Sequence, residues 1–573
     1  MAIQLDDPPA PTPAAAGSGP TRSPMVILAI VLTATFMQLV DISIVNVAIP
    51  SIQRELHASY AAVQLVLAGY QLAFACTLIT AARLGDIYGR RRLFVIGMVG
   101  FTVASALCGA APTANVLIAA RVLQGLFSGL MFPQVLSVIQ VTFPPRERGR
   151  AFSVYGAVIG LATITGPLLG GALIQLNIAG LDWRSIFYVN VPIGVGAVVA
   201  ARRALGESKA PAATKLDVPG ALLVTVGLFL LVFPLTEGRE KGWPVWIYAM
   251  LAAAVPVLAV FVAYELRRTR ADRFPLLRMS LFSDRAFRAG LVLCLVFFAG
   301  IAPFFFTFSV YLQIGFGYSA LGSGLTSFPF AVASGLASSQ SDRIAKRLGN
   351  AVLSIGALTL VVGMSLLVLV VHLAGTQVHS WQLWPVLLIS GVGLGLFIAP
   401  VTTIILDSIS KEGAGSASGV LSTVQQIGGA LGIALIGVLF FGLLGHNSSR
   451  ASAAVTPDLR RTVQAAGLPG PATDAVLRGF TRCFDDRSRS SDPSAEPASC
   501  RAARDQTGSG AVPPEVRQRV AQAVAQAGPL ALKHNFSRSF EQALGYEVGV
   551  FSLAYLLVLA LPSREHRAGG SLG

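Results

Sequence analysis

The sequence predicts an all-α integral membrane protein of about 14 transmembrane helices, arranged as two six-helix pseudo-symmetric bundles plus two inserted helices. Three observations predict it. The chain is 54% hydrophobic and only 12% charged, with a mean hydropathy of +0.67, whereas soluble domains carry about 25% charged residues. Apolar runs long enough to cross a bilayer, about 20 residues each, recur along the whole length. The short polar segments between them alternate between basic and nearly charge-free, the pattern of loops that stay on the cytoplasmic side and loops that cross.

Residues 1–24 are rich in Pro, Ala, Ser and Gly and are expected to form a disordered cytoplasmic tail. They lack a basic leader and carry Asp6 and Asp7, so the first apolar run is expected to be retained as a span. Spans are expected near 25–50, 61–82, 93–111, 115–142, 151–176 and 185–202, the first bundle. Two inserted linker helices follow at 217–236 and 244–265. The second bundle, 289–562, holds spans near 289–312, 320–340, 351–373, 383–406, 415–444 and 545–562. Between its last two spans lies a large polar outer loop, 445–544, with helical periodicity at 457–482 and 514–543. Residues 563–573 form a second cytoplasmic tail.

The loop charges support this count. Arg83, Arg90, Arg91 and Arg92 share one inner loop, Arg146, Arg148 and Arg150 the next, and Arg343, Lys346 and Arg347 a later one. The formal net charge of +15 therefore sets orientation in a cell membrane and meets anionic head groups of the lipid bilayer. No basic helix or aromatic-basic array points to nucleic acid. Both termini are expected to be cytoplasmic. The Ala, Gly and Arg usage suits a GC-rich bacterium.

Cys76, Cys108 and Cys294 fall in apolar runs and read as small hydrophobes. Cys483 and Cys500 lie in the outer loop, an oxidising compartment, and are candidates for a disulfide or for two free thiols. No Cys/His cluster has metal-ligand spacing, so no metal is expected. No phosphate-binding loop of the Gly-x-x-x-x-Gly-Lys-Ser/Thr type is present, which disfavours ATP drive. An enzyme is not expected. A multi-span membrane enzyme, the alternative from another class, would need a cluster of His, Asp or Glu at one interface.

Charges inside spans are costly and usually functional. Asp41 stands ~13 Å deep in the first span and Arg121 ~9–12 Å deep in the fourth, counted at 1.5 Å per residue from the same face. A carboxyl among apolar side chains holds its proton more tightly, and a nearby guanidinium loosens it again. Moving Arg121 or a cationic cargo relative to Asp41 would switch the acid between holding and releasing a proton. A static ion pair that fixes helix packing is the plainer reading. Gln38 lies one turn before Asp41, and Gln124 follows Arg121 at i+3. With Asn46, Tyr70, Gln71 and an aromatic wall from Phe304, Phe305, Phe306 and Phe308, they suit an apolar cavity with few polar groups.

The loop Arg83-Leu-Gly85-Asp86-Ile-Tyr-Gly89-Arg90-Arg91-Arg92 has glycines that permit a tight turn and a carboxylate able to lock one bundle to the other. It recurs at 341–349, where Asp342, Lys346 and Arg347 match Asp86, Arg90 and Arg91, after the second helix of each bundle. Such repeats mark transporters, with the cargo site between the halves. Ser341 and Ala345 replace Gly85 and Gly89, so gating is expected to rest on the first copy. In the fifth span, Gly160, Gly166, Pro167, Gly170 and Gly171 allow close, kinked helix packing.

Together these segments resemble the fourteen-span drug:proton antiporter branch of the major facilitator superfamily. Asp41-Ile-Ser-Ile-Val-Asn46-Val-Ala-Ile-Pro50 is similar to its first-helix motif, Arg121-Val-Leu-Gln124-Gly125 to its fourth-helix motif, and the glycine-proline run at 156–171 to its fifth-helix antiporter motif. Trp183-Arg184-Ser-Ile-Phe187-Tyr-Val-Asn190-Val-Pro192 is also characteristic of that branch. The resemblance implies multidrug or antibiotic efflux of small-molecule substrates in exchange for protons. It implies coupling roles for Asp41 and Arg121, and a lock at Asp86 on the cytoplasmic side. No cofactor is called for beyond the proton gradient. Export of a single natural product is the narrower alternative. A passive facilitator is a further one. The oligomeric state stays open, and a monomer suffices.

Overall fold

A computed structural model describes residues 23–58, 60–210, 215–238, 241–271, 275–277, 279–349, 351–407, 409, 413–489, 496–508 and 513–560. The tail 563–573 and nearly all of the tail 1–24 lie outside the described residues.

Helices make up nearly all of these segments. In order come α1 (Pro24–Leu56), α2 (Tyr60–Tyr88), α3 (Arg90–Gly109), α4 (Ala114–Thr142), α5 (Pro145–Leu176), the short α6 (Ser185–Tyr188), α7 (Asn190–Ala204), α8 (Val218–Glu237) and α9 (Val245–Arg270). Then follow α10 (Arg285–Val310), α11 (Ala320–Leu348), α12 (Ala351–Ala374), α13 (Ser380–Asp407), α14 (Ala414–Ala465), α15 (Gly470–Arg489), α16 (Ala498–Gly508) and α17 (Pro514–Leu559). A π turn, Tyr311–Gly315, extends α10.

Thirteen of the described segments are long and apolar enough to cross a membrane. The fourteenth, α11, is 29 residues long but diluted with Ser, Gly and Thr. It packs between α5 and α13, so small polar side chains face protein where a lipid-facing helix would need bulky apolar ones. The sixth span of the first half is broken at Val189, between α6 and α7.

Helices α1–α5 and α7 pack on one another, and α10–α14 and α17 form a second group. Helix α8 lies against α2 and α14, beside the seam between the groups, and α9 packs on α8. The groups meet along the whole of α5 and α11 and are further joined by hydrogen bonds at the end of the molecule that carries the basic loops. There Ser137 and Ser418 share a hydrogen bond at 2.7 Å, Gln140 donates to the carbonyls of Leu406 and Ile409, and Ser153 bonds Ser341 at 2.9 Å.

The described part of 445–544 differs from the expected loop. The membrane helices do not stop where hydropathy falls: α14 runs unbroken for 52 residues and α17 for 46. Apolarity marks where lipid ends, whereas a helix ends only at a breaker. The periodic stretch 457–482 is in fact divided at Gly467, whose φ is +94°. The ends of α14 and α17 pack with α15 around Val455, Leu459, Val463, Leu477, Phe480 and Val520, a small core of its own. Cys483 and Cys500 are joined in a disulfide that ties α15 to α16.

Candidate functional site

The polar centre of the first half is built on α1, α2, α3, α4 and α7. Asp41 is wholly buried and Arg121 is 1% exposed. Arg121 Nη1 donates to Asp41 Oδ2 at 2.5 Å and to Gln124 Oε1 at 2.7 Å. Gln124 in turn donates to Asp41 Oδ1 at 2.9 Å. Asn190, at the start of α7, also donates to Oδ1, at 3.0 Å, and to Ser105 at 3.1 Å. Three donors therefore converge on one carboxylate, and one of them is charged, which makes that hydrogen bond the strongest of the three. The guanidinium stacks over the Tyr70 ring at 4.2 Å, and its Nε donates to the carbonyl of Val66. Tyr70 itself donates to Ser128.

Depth and helix register explain this meeting. Arg121 and Gln124 share a face of α4 because they are three residues apart. Gly125 brings α4 onto α2, since a Cβ there would lie 2.3 Å from the Tyr70 carbonyl. That close approach slides Arg121 beneath the Tyr70 ring.

Not every expected cavity residue joins the cluster. Gln38 is buried one turn below Asp41, beside Tyr70. Asn46 is exposed and returns its amide to the carbonyl of Ile42. Gln71 is half-buried. The aromatic wall divides: Phe304 and Phe308 are fully packed, while Phe305 and Phe306 are half-buried. Phe305 meets Phe330 edge-on at 5.1 Å, and Phe306 meets Phe441 at 6.5 Å. Asn190 and Ser105 were not expected at the site. Asn190 had a signal, an amide in an apolar run, but Ser105 had none.

The loop Gly85–Arg92 is a built junction. Gly85 lies so close to Gln134 that a Cβ there would sit 2.1 Å from its Oε1. Gly89 takes a φ of +113°, a left-handed turn that favours glycine. Asp86 is 1% exposed, pairs with Arg90 at 2.8 Å, and lies against Gly415 in the first turn of α14. A carboxylate at a helix N-terminus is stabilised by about 0.3–1 kcal/mol. Arg91 binds the Leu205 carbonyl, and its backbone N–H donates to Glu207. The second copy has a matching seat. Asp342 lies against Gly149 in the early part of α5 and pairs with Lys346 at 2.6 Å. That lysine is 60% exposed, where Arg90 is 2%.

The glycines of α5 serve two neighbours. Gly166 and Gly170 admit Ser43 and Ile44 of α1, while Gly156 and Gly160 admit Ser338 and Ser334 of α11. Gly171 faces Leu321 at 3.7 Å. Pro167 lies within the helix and leaves one carbonyl without its usual donor. At the far end, Trp183 and Arg184 both donate to Glu55 and clamp the end of α1.

Two groups of six helices, an internal loop repeat and a buried acid-base pair define a transporter of the polytopic helical kind. The comparisons agree. The family model of the Major Facilitator Superfamily matches residues 31–433, and the chain belongs to that family. It is 37% identical over 570 residues to a probable actinorhodin transporter of Streptomyces coelicolor, covering 99% of this chain and 97% of the relative. It is 35% identical to the tetracenomycin C resistance and export protein of Streptomyces glaucescens, over 78% of this chain and 81% of that one. The multidrug resistance protein Stp of Mycobacterium tuberculosis is 34% identical over 77% of this chain and 78% of its own. Among solved structures, the human organic anion transporter MFSD10 superposes with a TM-score of 0.53 at 13% identity, covering 94% of this chain and all of that one. The likeness to that structure shows the fold alone.

Proposed function

We propose that this chain exports amphipathic or cationic organic compounds in exchange for protons, by alternating access between its two halves. The observation that carries the reading is the buried Asp41–Arg121 pair, at 2.5 Å with Gln124 and Asn190 on the same carboxylate. A proton added to Asp41 cancels the charge that holds Arg121, Gln124 and Asn190 together, and frees α1 from α4 and α7. A static pair would serve packing alone, but it would not need an acid this deep in the bilayer.

The basic loops support placing their end in the cytoplasm, with both termini there. The disulfide at the other end suits an oxidising exterior. Hydrogen bonds between the halves at the basic-loop end support a reading in which the cytoplasmic side is closed and the pathway opens outward. In that state Asp41 would meet protons from outside. The names of the relatives support organic antibiotics as the cargo class.

The deciding experiment is uphill efflux from energised cells or inverted vesicles, with a protonophore added. Efflux is expected to stop. Efflux against a concentration gradient that continues after the proton gradient has collapsed would rule the reading out. A narrower reading, export of one natural product, is favoured by similarity along 99% of the chain to a relative named for a single compound. Resistance to a panel of unrelated compounds after expression in a sensitive host supports the broad reading; resistance to one chemical family supports the narrow one.

A further inference from the structure

Glu547, in α17, has no part in the machinery described above. It is 1% exposed, and neither carboxyl oxygen has a hydrogen-bond partner among the described residues. It stands twelve residues from Leu559 at the basic-loop end, ~18 Å along the helix, well inside the bilayer.

Its surroundings are aromatic. Phe540, Leu544, Glu547, Phe551 and Ala554 form one buried stripe of α17. Above Glu547, Phe540 stacks on Tyr311 at 4.3 Å and meets Phe308 at 6.1 Å. Below it, Phe551 meets Phe297 at 5.8 Å. Tyr546 donates its hydroxyl to the carbonyl of Ala299. This register places Glu547 level with Ile301–Phe304 of α10.

Among the described residues, no cation on a neighbouring helix is within reach. Helix α10 carries Arg285 and Arg288 only in its first turn, and otherwise Cys294. Helix α12 has one titratable group, His372, which is paired with Glu541 near its far end. Helix α14 has no ionisable side chain from Ala414 to Gly445. The adjacent hydroxyl, that of Tyr546, is donated to the carbonyl of Ala299. An ionised carboxylate without a counter-charge is strongly disfavoured in such a place.

Glu547 also has a counterpart. Asn190 sits on the last membrane helix of the first half, fourteen residues from Ala204 at the same end. Helix α7 packs on α1 and α3, as α17 packs on α10 and α12. Asn190 completes the ligation of Asp41. Glu547 has no such acid or base to complete among the described residues.

We propose that Glu547 is a second ion-exchange station: it carries a proton in the conformation described and gives it up to bind the charged nitrogen or phosphorus centre of an aromatic organic cation. This rests on the export reading above and assigns the cation-binding part to the second half. The chemistry is that of a carboxylate sharing one buried stripe with Phe540 and Phe551; a carboxylate and ring faces both attract a delocalised cation. In the exchange the carboxyl O–H bond breaks and its electron pair stays on oxygen. The proton leaves to water in the opened pathway, and the cargo's fixed charge replaces it. Site charge is therefore conserved, and loss of cargo restores the proton.

The test uses the full chain in lipid nanodiscs with tetraphenylphosphonium, a cation that cannot itself carry a proton. A hydrophobic carbodiimide, which attacks proton-bearing carboxyls, is expected to label Glu547 and to be blocked by saturating tetraphenylphosphonium, read by peptide mass spectrometry. Binding of the cation is expected to release protons into a weakly buffered medium. Glu547→Gln is expected to weaken binding at least tenfold and to remove that release, while Glu547→Asp retains release. An unlabelled Glu547 in the wild-type protein, or labelling that saturating cation does not change, overturns the proposal without any variant. So does a folded E547Q protein with wild-type affinity and release. Collapse of the proton gradient plays no part in these measurements, so failure of the export reading would show separately in the vesicle assay.

Discussion

The last membrane helix of each half carries one polar side chain at a similar depth, and the two have opposite company. In the first half Asn190 belongs to a closed network in which Asp41, Arg121, Gln124 and Ser105 satisfy one another. In the second half Glu547 shares a buried stripe of α17 with Phe540 and Phe551, with neither oxygen partnered among the described residues. The loops differ in the same sense. Asp86 and Arg90 are buried against α14, whereas Lys346, which pairs with Asp342, is largely exposed. The two copies of one architecture thus differ in character: the first half concentrates internal charge pairing, and the second packs aromatic rings on one another.

This contrast can be broken by mutation. The largest effect is expected from Asp41→Asn, which keeps the shape of the site and removes its charge. Gradient-driven efflux in vesicles should fall by about 100-fold or more, equivalent to at least ~2.7 kcal/mol, with expression and monodispersity unchanged. Proton-driven transport that survives in a well-folded D41N protein would be evidence for a merely structural pair.

Arg121→Ala should act on stability instead, because it strands the Asp41 carboxylate. Breaking a buried pair from one side costs about 3–5 kcal/mol. The loss should appear as a lowered unfolding temperature in detergent, and the D41N/R121A double variant should recover much of it. Strict additivity of the two single changes would deny the coupling.

The loop copies predict a graded pair. Asp86→Ala is expected to reduce turnover about tenfold, or ~1.4 kcal/mol, with cargo binding retained. Asp342→Ala should cost about threefold, since its lysine partner is already in solvent. An equal or inverted ranking in the same assay would show that exposure does not set the gate's strength. The smallest effect on transport belongs to Cys483→Ser with Cys500→Ser. Closing a loop of this size constrains the unfolded chain by about 3 kcal/mol, but only the outer helices should loosen, as read by protease sensitivity. Efflux should stay within about twofold, a change of ~0.4 kcal/mol.

Much of the fold was legible because lipid enforces a simple rule. Every span had to be apolar for about 20 residues, and each inner loop had to keep its arginines. Asp41 and Arg121 were legible for the same reason, as charges that break apolar runs. Gln124 followed from helix spacing. Ser105 was not legible, since a lone serine in an apolar helix is ordinary. Glu547 was missed for a physical reason. The expected last span began at 545, which set the acid at the water interface. In fact α17 runs on from Pro514, and the packing of Phe540 on Tyr311 shows that protein core extends beyond the acid on both sides.

Helix α14 runs from the junction beside Asp86 to the small core around Val455 and Leu459 without interruption. Its stretch from His446 to Ala465 projects beyond the apolar run by ~30 Å at 1.5 Å per residue. A stiff rod of that reach is a lever arm. A tilt of ~10° near the membrane surface would carry its tip through ~5 Å, given that rise. The disulfide-tied cap is therefore a pointer fixed to the second half, and a small tilt of that half is magnified at its tip.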